Sequence, residues 1–268
     1  MGSRSKQSKQ NNYSNKNYSV KPLGVQSRFD RIDALRGFAM LWMTLFHFCF
    51  DLNYFGFLNQ NFYEDNFWTI QRSFIVSLFL FCAGLSQSVA LSQGLSWERF
   101  WKRWKQVAGA ALLVSLGSYF VYPESYIYFG VLHAIALMLI IMRLTYNLRY
   151  GLFVLGALII SLKFFLPNLF SIMGPSLEAF NQPLLNWLGV ISHKPRTEDY
   201  VPLIPWLGVM WLGLATGQIL MKKKLAFVSG PVAKPLQIFA GLGRYSLSYY
   251  LVHQPVLFGA ILLLKKLF

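Results

Sequence analysis

The feature that most constrains this chain is its first apolar segment, because it carries ionisable side chains, among them Arg36, His47 and Asp51. It reads Arg31-Ile-Asp-Ala-Leu-Arg-Gly-Phe-Ala-Met-Leu-Trp-Met-Thr-Leu-Phe-His-Phe-Cys-Phe-Asp51. Arg36 and His47 are three helical turns apart and share one face, which Asp51 joins one turn later. Ionisable groups within a membrane span are costly and mark functional sites. The alternative is that Arg36 flanks the span and Asp51 caps it at the interface.

The composition is that of a membrane protein. Hydrophobic residues make up 55% of the chain and charged residues 13%, and the mean hydropathy is +0.41. Lys and Arg number 25 against 10 Asp and Glu, but they cluster at the ends of apolar segments, so topology explains them better than nucleic-acid binding. The two cysteines, Cys49 and Cys82, lie in separate apolar runs and indicate neither a disulfide framework nor a metal site.

The apolar segments predict an all-α, polytopic helix bundle in the membrane, since about 20 apolar residues of helix cross a bilayer. Residues 1–27 are polar and basic and predict a disordered cytoplasmic tail, followed by one membrane domain over 28–268. About seven spans are expected, at 33–55, 68–91, 106–122, 127–143, 150–166, 202–221 and 244–264.

The basic residues orient these spans. They concentrate in the tail, in 92–105, in 143–149 and in 222–244, whereas the loops 51–67 and 123–126 contain none. This alternation predicts a cytoplasmic N-terminus and a multi-pass protein of the cell (inner) membrane. Lys265 and Lys266 then lie on the opposite side from the other basic clusters, which makes the seventh span the weakest part of the topology.

Two connecting segments have features of their own. Trp97, Trp101 and Trp104 share one helix face, which predicts anchoring in the cytoplasmic interface; the alternative is that this basic segment holds the phosphates of a cofactor. The outer connection at 167–201 is broken up by prolines, among them Pro167, and its length is typical of a lid or binding loop. Gly213 and Gly217 in the sixth span are spaced for close helix packing.

The expected topology brings several polar residues to one level of the outer leaflet. His47, Asp51 and Arg72 form a candidate catalytic group there, with Asp65 in the loop between the first two spans. A His beside a carboxylate can abstract a proton from an amine or hydroxyl, and an arginine can stabilise an oxyanion. His133 and His253 are also embedded; for each, the alternative is a hydrogen bond between helices.

Several blocks of this sequence resemble the heparan-α-glucosaminide N-acetyltransferase catalytic-domain family over residues 28–262. They are Arg31-Ile-Asp-Ala-Leu-Arg-Gly-Phe-Ala39, Phe46-His-Phe-Cys-Phe-Asp-Leu-Asn-Tyr-Phe-Gly56, Phe79-Leu-Phe-Cys-Ala-Gly-Leu-Ser86, Gly130-Val-Leu-His133, Asp199-Tyr-Val-Pro-Leu-Ile-Pro-Trp206 and Leu242-Gly-Arg-Tyr-Ser-Leu-Ser-Tyr-Tyr-Leu-Val-His253. The ten residues between Arg36 and His47 are similar to the Arg-x10-His motif of the type three membrane acyltransferases.

The resemblance implies an enzyme that moves an acetyl group from cytoplasmic acetyl-CoA to an extracytoplasmic glycan or amino-sugar acceptor, by N- or O-acetylation. It implies that His47 is catalytic, as base or as transient acyl carrier, with Arg36 as its companion. Arg36, Arg103 and Arg244 would hold the donor. The expected acceptor residues are Asp65, Asp199, Tyr200 and His253. Because family members carry additional spans or domains, a homo-oligomer or partner is also expected.

Two other functions stay open at this point. Arg36, His47, Asp51 and Arg72 could line a proton or anion path through a small transporter, although the two halves of the chain show no inverted repeat. The buried polar groups could instead only hold the helices of a structural membrane subunit together. For Asp199, the alternative to acceptor binding is a helix cap.

Overall fold

The structure, a computed structural model, describes residues 29–223 and 232–267; the expected tail at 1–27 lies outside them. Within these ranges the chain is helical, and its one β-bridge, between Phe129 and Tyr200, is isolated. The α-helices are α1 (Asp30–Tyr54), α2 (Asn66–Ser92), α3 (Trp97–Val121), α4 (Val131–Thr145), α5 (Gly151–Met173), α6 (Leu203–Lys222), α7 (Gln237–Arg244) and α8 (Ser246–Leu267). The predicted all-α class is confirmed.

Five segments are long and apolar enough to cross a membrane: Asn66–Ser92, Val131–Leu148, Gly151–Met173, Leu203–Lys222 and Ser246–Leu267. Helices α1 and α3 are also long, at 25 residues each, but both are less apolar. In α1 the polar residues of the candidate site lower the hydropathy, and in α3 it is the basic first turns. A membrane helix bundle is therefore supported, while the count of seven spans and the cytoplasmic N-terminus stay predictions.

The helix bounds depart from the sequence prediction in three places. Helix α3 begins at Trp97, so the tryptophan face belongs to the third helix itself, whose N-cap Ser96 accepts a hydrogen bond from the backbone N–H of Arg99 (3.3 Å). Helix α5 continues through Pro167, which was expected to interrupt the outer connection. The short helix α7 was not predicted, because it is separated from α8 only by Tyr245.

Glycines allow the helices to approach closely. A Cβ atom at Gly213 would overlap the Phe81 carbonyl of α2, and one at Gly217 would overlap Ser88. The expected close packing of the sixth helix at these two positions is thereby confirmed. A second glycine contact joins α7 to α1, because a Cβ atom at Gly243 would overlap the Asp33 carbonyl. This contact fixes the entry of α8 alongside α1.

Helices α1 and α8 run side by side in the same direction. Near their starts, Arg244 pairs with Asp30 (2.8 Å), and near their ends, Lys265 donates to the Phe55 carbonyl (3.2 Å). We call the end of the bundle that holds the starts of α1, α3, α5 and α7 the basic end. The end that holds the segments 55–65, 122–130 and 174–202 is the loop end. The parallel course of α1 and α8 sets the geometry of the candidate site.

Candidate functional site

Two histidines face each other across the contact between α1 and α8. The ring centroids of His47 and His253 are 5.4 Å apart, with an interplanar angle of 56°. Tyr249 stacks on His253 at 5.9 Å with nearly parallel rings, and its hydroxyl is hydrogen-bonded to the Thr44 hydroxyl (2.7 Å). The sequence placed His253 in the acceptor site, and the structure places its imidazole directly beside that of His47.

The hydrogen bond of His253 determines which ring nitrogen carries its lone pair. Nδ1 lies 2.7 Å from the Tyr250 carbonyl, and because a carbonyl can only accept, Nδ1 carries the hydrogen. Nε2 of the neutral ring is then an acceptor. It is buried and has no hydrogen-bond partner among the described residues. His253 therefore presents a basic nitrogen within the bundle, beside His47.

Asp51 was expected to be the carboxylate partner of His47, but the hydrogen bond that the structure gives it is to a residue of α8. Its Oδ1 accepts a hydrogen bond from Nε2 of Gln254 (2.8 Å), because the parallel course of α8 brings Gln254 against α1. Asp51 is fully buried, so it is not an interfacial cap. Its Oδ2 and the Oε1 of Gln254 have no partner in the described part of the chain. We call His47, Asp51, His253 and Gln254 the histidine cluster.

The histidine cluster thus contains three buried acceptor atoms without donors: Asp51 Oδ2, Gln254 Oε1 and His253 Nε2. Buried polar atoms in folded proteins are nearly always hydrogen-bonded, so several exceptions at one place require an explanation. All three accept hydrogen bonds. The arrangement therefore suits a bound molecule that brings O–H or N–H groups, as sugars and amines do.

Asp199 connects the loop end to this cluster. Its Oδ2 accepts from the backbone N–H of Val131 (2.8 Å) and so caps α4, and its carboxylate is hydrogen-bonded to the Tyr250 hydroxyl, one turn before His253. Residue 130 is glycine because a Cβ atom there would overlap the Asp199 carboxylate. Burial raises the pKa of Asp199, opposed by the Val131 N–H and the positive charges of Lys194 and Arg72.

The other expected acceptor residues do not reach the cluster. The Tyr200 hydroxyl donates to the Asn186 carbonyl (2.6 Å) and ties the loop end together. Asp65 is exposed just before α2, where it accepts weakly from the backbone N–H of Asn61 (3.3 Å). Both were expected to bind the acceptor, whereas the contacts that the structure gives them lie within the loop end itself.

Arg72 was expected beside His47 and Asp51, and the structure places it elsewhere. Its charge acts on Asp199, Lys194 and Tyr63 at the loop end. Its side chain lines a groove on the side of the bundle. The residue number gives the position of Arg72 along α2, but it could not give the rotation of α2 about its axis.

At the basic end, Arg36 joins three helices. Its guanidinium donates to Asp33 Oδ1 (3.0 Å), to the Gly243 carbonyl (3.0 Å) and to the Ser86 hydroxyl. Arg103 lies near enough for its charge to act on that of Arg36. The third expected donor residue, Arg244, is exposed and pairs with Asp30. The charges of Arg36 and Arg103 therefore interact at this end, whereas Arg244 pairs with an acid.

His133 has a structural role, as the alternative interpretation of the sequence predicted. Its Nε2 is hydrogen-bonded to the Ser115 hydroxyl of α3 (3.0 Å), and its Nδ1 accepts from the Gly130 backbone N–H (3.3 Å). Sequence reasoning missed Tyr249, Tyr250 and Gln254. The first two precede His253 by four and three residues, a spacing that places them on its helix face and could have indicated their role.

The fold is that of a membrane helix bundle with a histidine pair between two of its helices, and comparison with known families gives its class. The model of the family described as "Heparan-alpha-glucosaminide N-acetyltransferase, catalytic" matches residues 28–255, so the chain belongs to this family. Membership indicates a membrane acetyltransferase. No curated protein and no solved structure matches the chain. Among the described residues, no His, Cys, Asp and Glu group is arranged to hold a metal ion.

Proposed function

We propose that the protein transfers an acetyl group from acetyl-CoA to a hydroxyl or amine of an extracytoplasmic sugar or amino-sugar, and that the histidine cluster is where the transfer occurs. The observation that carries the proposal is the set of three buried acceptors beside His47. An acceptor sugar supplies the missing O–H or N–H donors. Family membership supplies the type of reaction.

In the proposed reaction, the acceptor oxygen or nitrogen attacks the thioester carbonyl carbon. His47 removes the acceptor proton, the new C–O or C–N bond forms, and the C–S bond breaks. The proton then passes to the sulfur, so that CoA leaves as the thiol. His253 Nε2 accepts a hydrogen bond from the acceptor and holds it against His47. In the alternative order, His47 first takes the acetyl group itself and then passes it on.

The basic end suits the phosphates of the donor. A guanidinium has five N–H donors, of which Arg36 uses three for Asp33, Gly243 and Ser86. Two remain for a phosphate, and Arg103 adds a second positive charge nearby. His47 lies about 16 Å further along α1, at 1.5 Å per residue, and acetyl-CoA carries its thioester at the end of a long pantetheine arm. The excess of basic residues favours the cytoplasm for this end.

The test uses purified protein in detergent with acetyl-CoA labelled in the acetyl group. Parent protein is expected to hydrolyse the donor slowly and to label an amino-sugar acceptor, whereas His47→Ala should do neither. His193→Ala is the matched control, because His193 is exposed at the loop end and its one hydrogen bond to a described residue is with Ser192. Parental turnover by His47→Ala would remove His47 from the mechanism.

The same preparation separates the two orders of reaction. If His47 carries the acetyl group, parent protein incubated without acceptor becomes labelled, and the label maps to the peptide that contains His47. If His47 acts only as a base, labelled product forms with acceptor present, and the protein carries no label at any time.

A further inference from the structure

A groove separate from the histidine cluster opens on the side of the bundle, between α2 and α5. Its volume is about 570 Å³. Its polar lining consists of two cationic and three hydroxyl side chains: Arg72, Lys163, Thr69, Ser73 and Ser77. The three hydroxyls recur every four residues and therefore form one stripe along α2. The Thr69 hydroxyl donates to the Asp65 carbonyl (3.1 Å) and the Ser73 hydroxyl to the Thr69 carbonyl (2.9 Å). The groove thus combines two positive charges with the hydroxyl of Ser77, which donates to no other described residue.

The two cations lie within helices that are long and apolar enough to span the membrane. Arg72 is six residues from the start of α2, about 9 Å along the helix axis, and Lys163 is ten residues from the end of α5, about 15 Å. Positively charged side chains at such depth are costly unless a partner of opposite charge is present. In the described part of the chain, neither of them forms a hydrogen bond or an ion pair.

Neighbouring carboxylates do not supply the partner. Asp199 is the acid whose charge interacts with Arg72, and it is already bound to the Val131 N–H and the Tyr250 hydroxyl. None of the described residues that line the groove is acidic. The expected occupant is therefore an anion that comes from outside the chain.

We propose that this groove binds the phosphate of a lipid headgroup in the membrane leaflet at the loop end. Arg72 and Lys163 would neutralise the phosphate, and the Ser77 hydroxyl would donate a hydrogen bond to one of its oxygens. A free phosphate shares this chemistry, but the groove also has apolar walls. Ile70 and Phe74 line it and are 52% and 60% exposed, which suits the acyl chains that accompany a lipid phosphate.

The binding test uses native mass spectrometry of the detergent-purified full chain with dioleoylphosphatidylglycerol. Parent protein is expected to retain one tightly bound copy, and dioleoylglycerol, which lacks the phosphate, should not compete for it. Millimolar sodium phosphate should leave the bound lipid in place. Equal displacement by sodium phosphate would show that the site takes the free ion and would overturn the assignment to lipid.

The variants locate the site. Lys163→Leu should weaken lipid binding about fivefold, as expected for the loss of one basic residue near a lipid phosphate, and Arg72→Gln combined with it about 25-fold. Lys163→Gln gives the same test if leucine impairs folding. Lys266→Leu is the matched control, because Lys266 is also exposed near the loop end but lies outside the groove. Parental lipid binding by the Lys163 variants would overturn the proposal, whatever their acetyltransferase activity.

Discussion

The surroundings of Arg36 and the histidine cluster both place charged or polar side chains inside α1, yet the two regions are built in opposite ways. Arg36 is bonded to partners from α1, α2 and α7, and close glycine contacts surround it. The histidine cluster leaves three buried acceptors without donors. The first arrangement holds helices together, and the second suits a ligand. In the motif formed by Arg36 and His47, Arg36 therefore also supports the fold, whereas His47 is proposed to take part in the chemistry.

The largest expected effect is on catalysis at His47. His47→Ala should lower acetyl transfer by at least about 10²-fold, the contribution of a general base. Folding should be retained, because the imidazole makes ring contacts with Phe46 and His253 but no hydrogen bond among the described residues. Turnover at saturating donor, together with thermal unfolding in detergent, measures both. A large loss of thermal stability would mean that His47 is a structural residue as Arg36 is.

The contact between α1 and α7 at the basic end should show the reverse pattern, with the effect of substitution on stability. Gly243→Ala places a Cβ atom against the Asp33 carbonyl of α1, and such overpacking costs about 1–3 kcal/mol. Gly241→Ala is the matched control in the same short helix, because its Cβ would meet nothing within 4 Å. Thermal unfolding should separate the two variants clearly. Equal stability would show that the contact between α1 and α7 is looser than the structure indicates.

Arg36 and Arg103 should differ although both are proposed to bind the donor. Arg36→Lys loses the forked geometry that joins Asp33, Gly243 and Ser86, so it should lower both thermal stability and affinity for CoA. Arg103→Gln should weaken CoA binding while stability stays parental, since Arg103 is exposed. Calorimetry with CoA provides the affinities. If both variants bind CoA as the parent does, the donor phosphates lie elsewhere.

The sequence predicted the all-α class and the glycine packing of α6, because apolar length and small-residue spacing are properties of one segment. It also identified His47 and His253 as embedded. It could not predict that Gln254, and not His47, bonds Asp51, since that depends on the register between α1 and α8. For the same reason Arg72 was placed beside His47: its depth follows from residue number, but its direction depends on how α2 is rotated against α6.

The smallest expected effect is at Asp199. Asn can still accept from the Val131 N–H, so Asp199→Asn should cost about 1 kcal/mol or less. Because burial raises the pKa of Asp199, the folded protein keeps this proton to higher pH than the unfolded chain. The stability that the bound proton contributes is complete below the unfolded value and is lost as the pH rises through the folded one. The stability difference between Asp199→Asn and the parent should therefore shrink as the pH rises above about 4, the unfolded value.

Asp199→Asn also tests whether the loop end contributes to binding of the acceptor. Because Asp199 reaches the cluster through Tyr250, transfer to an amino sugar should fall by a few fold, while slow hydrolysis of acetyl-CoA stays nearly parental. Equal loss of both reactions would place Asp199 at the reacting atoms. If both transfer and hydrolysis keep their parental rates, Asp199 serves only as the cap of α4.

The most direct test of the account compares CoA affinity and turnover on the same preparations of His47→Ala and Arg103→Gln. We expect His47→Ala to bind CoA within about twofold of the parent and to lose at least about 10²-fold in turnover. Arg103→Gln should bind CoA more weakly but approach parental turnover when the donor is saturating. Parental turnover by His47→Ala with weakened CoA binding would contradict the account, because it would move His47 from the reacting centre to the donor site.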